Sequence, residues 1–359
     1  MSTITPVPCP LLKREKVSEK TELMTRSELL NLMSGRDLIL LDTRSANEMK
    51  EGKLMQSINV PVTDEFLSTV STPQSMIKTI RGAGRFKLNA RTRSNKKTVI
   101  VSRDGKTGEK DPAGAVAKIL NDAAVLCVLE GGFEAFNSKF PFAVNKMTLP
   151  WFPTVLIEDF LYLGSEDDAK QQEHLRRLGI THILNVSSDV KNYFPQQYTY
   201  HRINLPDEPG SNLSEHFQMA FKFLKTSDLD TSKRVLVHCH QGVSRSSTIV
   251  LAYFMHSKHW TLKDAYEFTK ANRPQIRPNP GFWRQLEAFE KSLFGVSTLD
   301  QCVDIEAEER EYKAKNDPEE IGEMDDDEDE NSTSRINKST GQSEDPGIAN
   351  DKCELCAII

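Results

Sequence analysis

The sequence predicts an α/β protein: two successive α/β units followed by a disordered acidic tail. Three observations lead there. Short apolar runs such as "DLILLDTR" (37–44), "KTVIVSR" (97–103) and "VLVH" (235–238) alternate with stretches of helical spacing, which is the pattern of a parallel sheet covered by helices. Periodicity fails around "KFPFAVNKMTLPWFP" (139–153), where prolines cluster, and this divides the pattern in two. After Gly295 the composition turns acidic, then rich in Ser, Thr, Asn, Gly and Asp, a mixture that cannot bury a core. The expected boundaries are a flexible N-terminus (1–20), a first unit (21–146), a linker (147–154), a second unit (155–297) and a disordered tail (298–359).

Each element follows from its residues. "MTRSELLNLM" (24–33) offers Thr25 or Ser27 as a helix cap ahead of apolar residues at helical spacing. "DLILLDTR", "SINVPV" (57–62) and "KTVIVSR" read as buried strands. "AGAVAKILND" (113–122) is a helix, and "AVLCVLEGGFEAF" (124–136) a strand, a glycine turn and a new helix. In the second unit "DFLYLGS" is a strand and turn, "DAKQQEHLRRLGI" a helix ending at Gly179, and "THILNVSS" a strand. "YTYHRINLPD" and the helix "LSEHFQMAFKFLKTS" precede the strand at 235–238, and two further helices follow in "TLKDAYEFTKANRP" and "NPGFWRQLEAFEKSLFG".

The bulk numbers narrow the function classes. The chain of 359 residues has room for about two domains. No run approaches the ~18 apolar residues of a membrane helix, and the N-terminus lacks the apolar core of a secretory signal. Cysteines 9, 127, 239, 302, 353 and 356 do not form a disulfide framework or a paired zinc spacing, so a reducing, intracellular setting is expected. Of 52 acidic and 46 basic residues, 15 and 3 fall between Asp304 and Glu330, leaving 37 and 43 elsewhere. The body is mildly basic, which suits an anionic substrate, while the absence of a long basic run speaks against nucleic acid.

The most informative stretch is "VLVHCHQGVSRSS" (235–247). Cys239 leaves a buried strand and enters a tight loop, His240-Gln241-Gly242-Val243-Ser244, before a helix that opens at Arg245. Gly242 allows the bend. Loop amides and the helix N-terminus would form a nest for a tetrahedral oxyanion, and the same field favours Cys239 as a thiolate nucleophile. Arg245 can hold two phosphoryl oxygens through its planar fork. Ser246, or Ser244, can donate to the sulfur and ease its departure. His238 is expected under the loop, orienting backbone. This is the equipment for cleaving phosphate monoesters through a cysteinyl-phosphate. A metal site built on His238, Cys239 and His240 has no further ligand cluster to complete it, so neither metal nor other cofactor is expected.

Such a mechanism needs an acid for the leaving oxygen, and "INLPDEPGSNLS" offers Asp207 and Glu208. The pattern His-Cys-(five residues)-Arg-Ser resembles the signature of protein tyrosine phosphatases. Residues 155–295 resemble the dual-specificity class of that superfamily through "LYLGS", "GITHILNV", the Asp six residues before "LSEHF", "VLVHCHQGVSRSS" and "RPQIRPNPGFWRQLEAFE". The resemblance implies a protein tyrosine phosphatase-like fold, Asp207 as general acid and later base, and a shallow pocket that admits phosphoserine and phosphothreonine besides phosphotyrosine. It also places Asn279 at a polar position near the site.

In the first unit, "LILLDTRSANEMKEGKLMQSINVPV" and "VLEGGFEAFNSKFP" resemble a rhodanese-like domain. A catalytic rhodanese would carry Cys after "TVIV", where this chain has Ser102-Arg103-Asp104, so no sulfur transfer is expected. A rhodanese-like unit ahead of a dual-specificity domain resembles the layout of mitogen-activated protein kinase phosphatases. That layout implies a phosphorylated kinase as partner, docked by basic residues. The candidates here are Arg81, Arg85 and Lys87, with Lys78, Arg91 and Arg93 nearby, scattered where the family has them consecutive. The last four residues, Cys356-Ala357-Ile358-Ile359, match a prenylation box, with Cys353 as candidate for a second lipid. The segment upstream is acidic and would be repelled by an anionic leaflet. A cytoplasmic or nuclear location is expected, with membrane association following from prenylation of Cys356. Two other readings compete: a non-catalytic binder that sequesters phosphorylated kinases, and the same domain acting on phosphoinositides or RNA ends. Cys239, Arg245 and Asp207 are all present, against the first. Among the loop residues 240–244 only His240 is basic, against the second.

Overall fold

The computed structural model describes residues 5–7, 9, 15–18, 21–33, 38–80, 90–108, 110–120, 123–145, 152–225 and 232–316. The first domain is built on strands β1 (Thr21–Met24), β2 (Leu38–Asp42), β3 (Ile58–Asn59), β4 (Lys97–Val101) and β5 (Val125–Leu129). They pair in the order β1-β5-β4-β2-β3, every neighbour parallel. Successive side chains on a strand point to opposite faces, so these apolar runs need cover on both sides. Ile39, Leu41, Ile100 and Val128 face the helices α2 (Asp64–Thr69), α3 (Pro73–Thr79) and α5 (Pro112–Ile119). Leu40, Val99, Val101 and Cys127 face α1 (Arg26–Met33) and α6 (Gly132–Lys139). A short α4 (Ala90–Asn95) leads into β4.

The second domain carries β6 (Thr154–Ile157), β7 (Leu161–Gly164), β8 (His182–Val186), β9 (Thr199–Ile203) and β10 (Val235–His238). Their order is β6-β7-β10-β8-β9, parallel except for the antiparallel β6–β7 hairpin. Helices α7 (Glu166–Lys170), α8 (Gln172–Arg177), α9 (Phe217–Leu224), α10 (Arg245–Lys258), α11 (Leu262–Asn272) and α12 (Pro280–Phe294) complete it, and α13 (Ile305–Asn316) follows. β10 is central, and all four of its residues are buried. The loop after it therefore opens at the C-terminal edge of a parallel sheet, where α/β folds place their sites.

Each domain has a core cluster of its own, and a third joins them. A single apolar cluster runs from Leu29, Leu30, Val99 and Phe133 of the first to Val155, Tyr162, Ile183 and Leu236 of the second. α1 seals the edge of β6. The Asn31 side chain accepts from Val155 N–H (3.0 Å) and donates to Val155 O (2.9 Å), as a neighbouring strand would. Arg26 and Ser27 both bind Glu158.

Several expectations are corrected. Thr21–Met24 forms a strand beside β5, so the sheet begins before the expected helix. The strand β6 starts at Thr154, inside the expected linker. One helix over 168–179 is in fact two, because the Ser165–Asp168 capping box starts α7 early and Gln171 leaves helical geometry. The N-terminus is not wholly free: Val7 N–H donates to His259 O at 2.7 Å, and Cys9 is 2% exposed within the second domain's core. The tail is not without structure from 298: residues 299–301 form a 3-10 turn and α13 extends to Asn316. Arg81, Arg85, Lys87, Cys353 and Cys356 lie outside the described residues. Arg93 is 1% exposed, so its guanidinium is no part of an open docking face.

Candidate active site

Cys239 sits at the end of β10, 1% exposed, at the floor of a cavity of about 320 Å³. Its sulfur accepts two hydrogen bonds, from Gly242 N–H and from Ser246 Oγ, both at 3.2 Å. The loop that supplies the first is held in a bend only glycine accepts. Gly242 has φ +68°, and a Cβ there would lie 2.4 Å from Gly164 O. Below it His238 is fully buried, and its Nδ1 meets Cys239 O at 3.2 Å. The carbonyl can only accept, so Nδ1 carries the proton. Burial pushes this imidazole down to about 4, and it is neutral at physiological pH. Its ring thus meets the backbone of the loop and not the cavity.

Asp207 and Arg245 face Cys239 across the cavity. Asp207 Oδ1 accepts from Ser244 Oγ (2.7 Å) and Asn279 Nδ2 (2.9 Å), while Oδ2 lies 3.4 Å from Arg245 Nε. Ser244 therefore braces the carboxylate, and Ser246 serves the sulfur. Asn279 has a definite place: its Oδ1 caps α12 by accepting from Phe282 N–H while its amide holds Asp207. The loop that carries Asp207, the candidate acid, packs so closely on α12 that a Cβ at Gly281 would fall 1.9 Å from Pro209 O. Glu208 is exposed and does not line the cavity.

Arg245 is 5% exposed, and its Nη1 donates to Asp189 Oδ1 (3.0 Å) and Leu205 O (3.1 Å). These contacts fix the plane of its fork before any substrate arrives. Burial pushes the Asp189 carboxyl up, but the hydrogen bond and charge of Arg245, with His240, bring it net below its ordinary value. His240 stands at the rim, 3.4 Å from Glu166 Oε2 and 3.8 Å from Asp189 Oδ2.

Both domains match known families. The family described as "Dual specificity phosphatase, catalytic domain" matches residues 161–292, and "Rhodanese-like domain" matches residues 25–139. The human "Dual specificity protein phosphatase 4" is 32% identical over 309 residues, covering 75% of this chain and 77% of that protein. The chain belongs to the dual-specificity protein phosphatases. A "Probable rhodanese domain-containing dual specificity protein phosphatase" of Dictyostelium discoideum is 37% identical over 177 residues, 46% of this chain and 37% of the relative. "Protein phosphatase Slingshot homolog 1" of human is 44% identical over 167 residues, 46% of this chain and 15% of the relative. The chain thus spans about a third of the Dictyostelium relative and three quarters of the human phosphatase.

The phosphatase brings together what its sequence nominated: Cys239, Arg245, Asp207, His240, Gln241, Val243, Ser244 and Asn279 line one cavity. Ser246, Gly242 and His238 support it from beneath. Sequence reasoning missed two residues. Asp189 holds Arg245. Arg273 braces the loop from behind: Nε donates to Gly242 O (2.9 Å), Nη2 to Gln241 O (3.3 Å) and Nη1 to Thr154 Oγ1 (3.1 Å). In the first domain Ser102 follows β4, its Oγ accepting from Gly105 N–H, and Arg103 pairs with Glu48 and Glu134. Cys127 is buried in β5, a core residue as expected.

Proposed function

We propose that the phosphatase hydrolyses phosphotyrosine and phosphoserine or phosphothreonine through a cysteinyl-phosphate on Cys239, with a mitogen-activated protein kinase as substrate. The observation that carries the mechanism is the pair of donors on Cys239 Sγ, with Asp207 and Arg245 in the same cavity. Both donors aim at the sulfur that must act as nucleophile and, later, as leaving group. As a thiolate, that sulfur attacks phosphorus while Arg245 holds two equatorial oxygens. The ester P–O bond breaks, and the leaving oxygen takes a proton from Asp207 in its acid form. Water then attacks the phosphorus, giving its proton to Asp207. The S–P bond breaks, inorganic phosphate leaves, and the thiolate returns to the donors Gly242 N–H and Ser246 Oγ. The substrate class rests on the order of the domains, rhodanese-like before dual-specificity, which is the layout of the kinase phosphatases.

The test is turnover of an aryl phosphate and of a doubly phosphorylated mitogen-activated protein kinase by wild type, Cys239→Ser and Asp207→Ala. Cys239→Ser is expected to be inactive. Asp207→Ala is expected to slow poor leaving groups by roughly 10²–10⁴-fold. A rate that survives Cys239→Ser refutes the intermediate. Turnover of the aryl phosphate with none of the kinase refutes the substrate.

A further inference from the structure

One wall of the catalytic cavity comes from outside residues 161–292, the stretch that matches the catalytic-domain family: Glu308, Glu311, Tyr312 and Lys315 of α13 line it beside Arg277. Their spacing of three and four puts all four on one helix face. The helix is anchored at its start by apolar contact, with Cys302, Val303 and Ile305 against the domain core. Its acidic face then meets two arginines. Arg284 pairs with Glu309 at 2.8 Å. Arg277 donates through Nε to Glu308 Oε2 (2.7 Å) and through its two terminal nitrogens to both oxygens of Glu311. Arg277 is also tied to the phosphate loop, since its backbone N–H donates to Val243 O at 2.8 Å. A fork-shaped cation thus stands at the cavity mouth, fixed relative to Cys239 and occupied by two carboxylates of the same chain.

We infer that Arg277 is a second oxyanion subsite, for a carboxylate or phosphate that flanks the scissile phosphoresidue, and that α13 is its internal competitor. The inference rests on the catalytic reading of Cys239. A guanidinium fork takes carboxylate and phosphate in the same bidentate geometry, so the substrate's anion and Glu311 exclude each other. The helix is poised to yield. The side chain of Arg277 is 45% exposed, that of Glu311 63% and that of Glu308 20%, so solvent screens the Glu311 pair most and the carboxylate of Glu311 is the one that can be exchanged for another. A substrate with a suitably placed anion can therefore displace Glu311, while one without such an anion meets a partly blocked mouth.

The experiment uses the full chain and three phosphotyrosine peptides identical except for one flanking residue: Ala, Glu or phosphothreonine. The readout is the ratio of kcat/KM for each anionic peptide over the Ala peptide. In Glu308→Gln/Glu311→Gln the ratio is expected to rise about three- to tenfold over wild type, because the competitor is weakened. In Arg277→Ala it is expected to fall to about one. The Glu and phosphothreonine peptides show which oxyanion the fork prefers. A ratio that Arg277→Ala leaves standing, or that the double variant does not raise, overturns the subsite. Loss of the catalytic reading shows in a separate arm, as turnover of the Ala peptide that persists in Cys239→Ser.

Discussion

Replacing Arg273 tests whether the phosphate loop is held from behind. Arg273 is 6% exposed, and its guanidinium makes three hydrogen bonds, two of them to the carbonyls of Gln241 and Gly242. Burial pushes it down from its usual value, opposed by the charges of Asp168 and Cys239, yet an arginine stays charged at neutral pH. Arg273→Met keeps the stem and deletes the fork. Each charge-assisted bond is worth about 1.5–3 kcal/mol, and an unpaired buried acceptor costs about 1–3 kcal/mol. The terms overlap, so a total near that of breaking a buried pair, about 3–5 kcal/mol, is expected. Arg273→Lys keeps the charge but offers no planar fork, and is expected to recover part of the loss. Urea unfolding measures the stability, and aryl phosphate turnover on the folded variant measures the loop. At least about a tenfold fall in kcat/KM is expected, since a reacting group displaced by a fraction of an ångström loses rate on that scale. The reasoning fails if Arg273→Met unfolds within about 1 kcal/mol of wild type with turnover intact.

Two further outcomes follow from the same geometry. Gly281→Ala places a methyl against Pro209 O, so the acid loop must retreat; kcat on poor leaving groups should fall while activated esters, which need less proton donation, are spared. Equal losses on both would point away from the acid loop. His238 is neutral when folded, lowered to about 4 from an ordinary 6.5, so the unfolded chain binds the proton first. Its contribution to stability should be constant above pH 6.5 and be lost as pH falls from 6.5 to 4, by about 3 kcal/mol. Unfolding curves across that window for wild type and His238→Asn, which keeps a donor but does not titrate, should diverge; parallel curves would contradict the assignment.

Reading the sequence worked where the chemistry is contiguous. Cys239, Gly242, Arg245 and Ser246 lie within eight residues on a strand, a loop and a helix start, so spacing alone implied their geometry. The loop offered Asp207 and Glu208 alike and only resemblance chose Asp207, while Asn279 came by resemblance alone, because each reaches the site from a distant part of the chain. Asp189 and Arg273 carried no local signal: one is 56 residues before Arg245, the other 31 after Gly242, and the fold alone joins them. The strand at Thr21–Met24 is too short to show a period, and its identity comes from β5 beside it. The helix at 305–316 was hidden by composition. Its acidic residues suggest an unstructured chain, yet Glu308, Glu309 and Glu311 are matched by Arg277 and Arg284 on a surface the sequence does not display.

The apolar cluster common to both halves makes any cut between them consequential. A fragment starting at Thr154 would carry Val155, Tyr162, Ile183 and Leu236 without the Leu29, Leu30 and Phe133 side of their cluster. It would also leave the Val155 amide and carbonyl without the Asn31 groups that cap them, exposing a sheet edge open to self-pairing. Kinetics of such a truncated enzyme would thus combine two losses, a missing first domain and a damaged supporting wall two strands from Cys239. Only substitutions made within the intact chain can tell them apart.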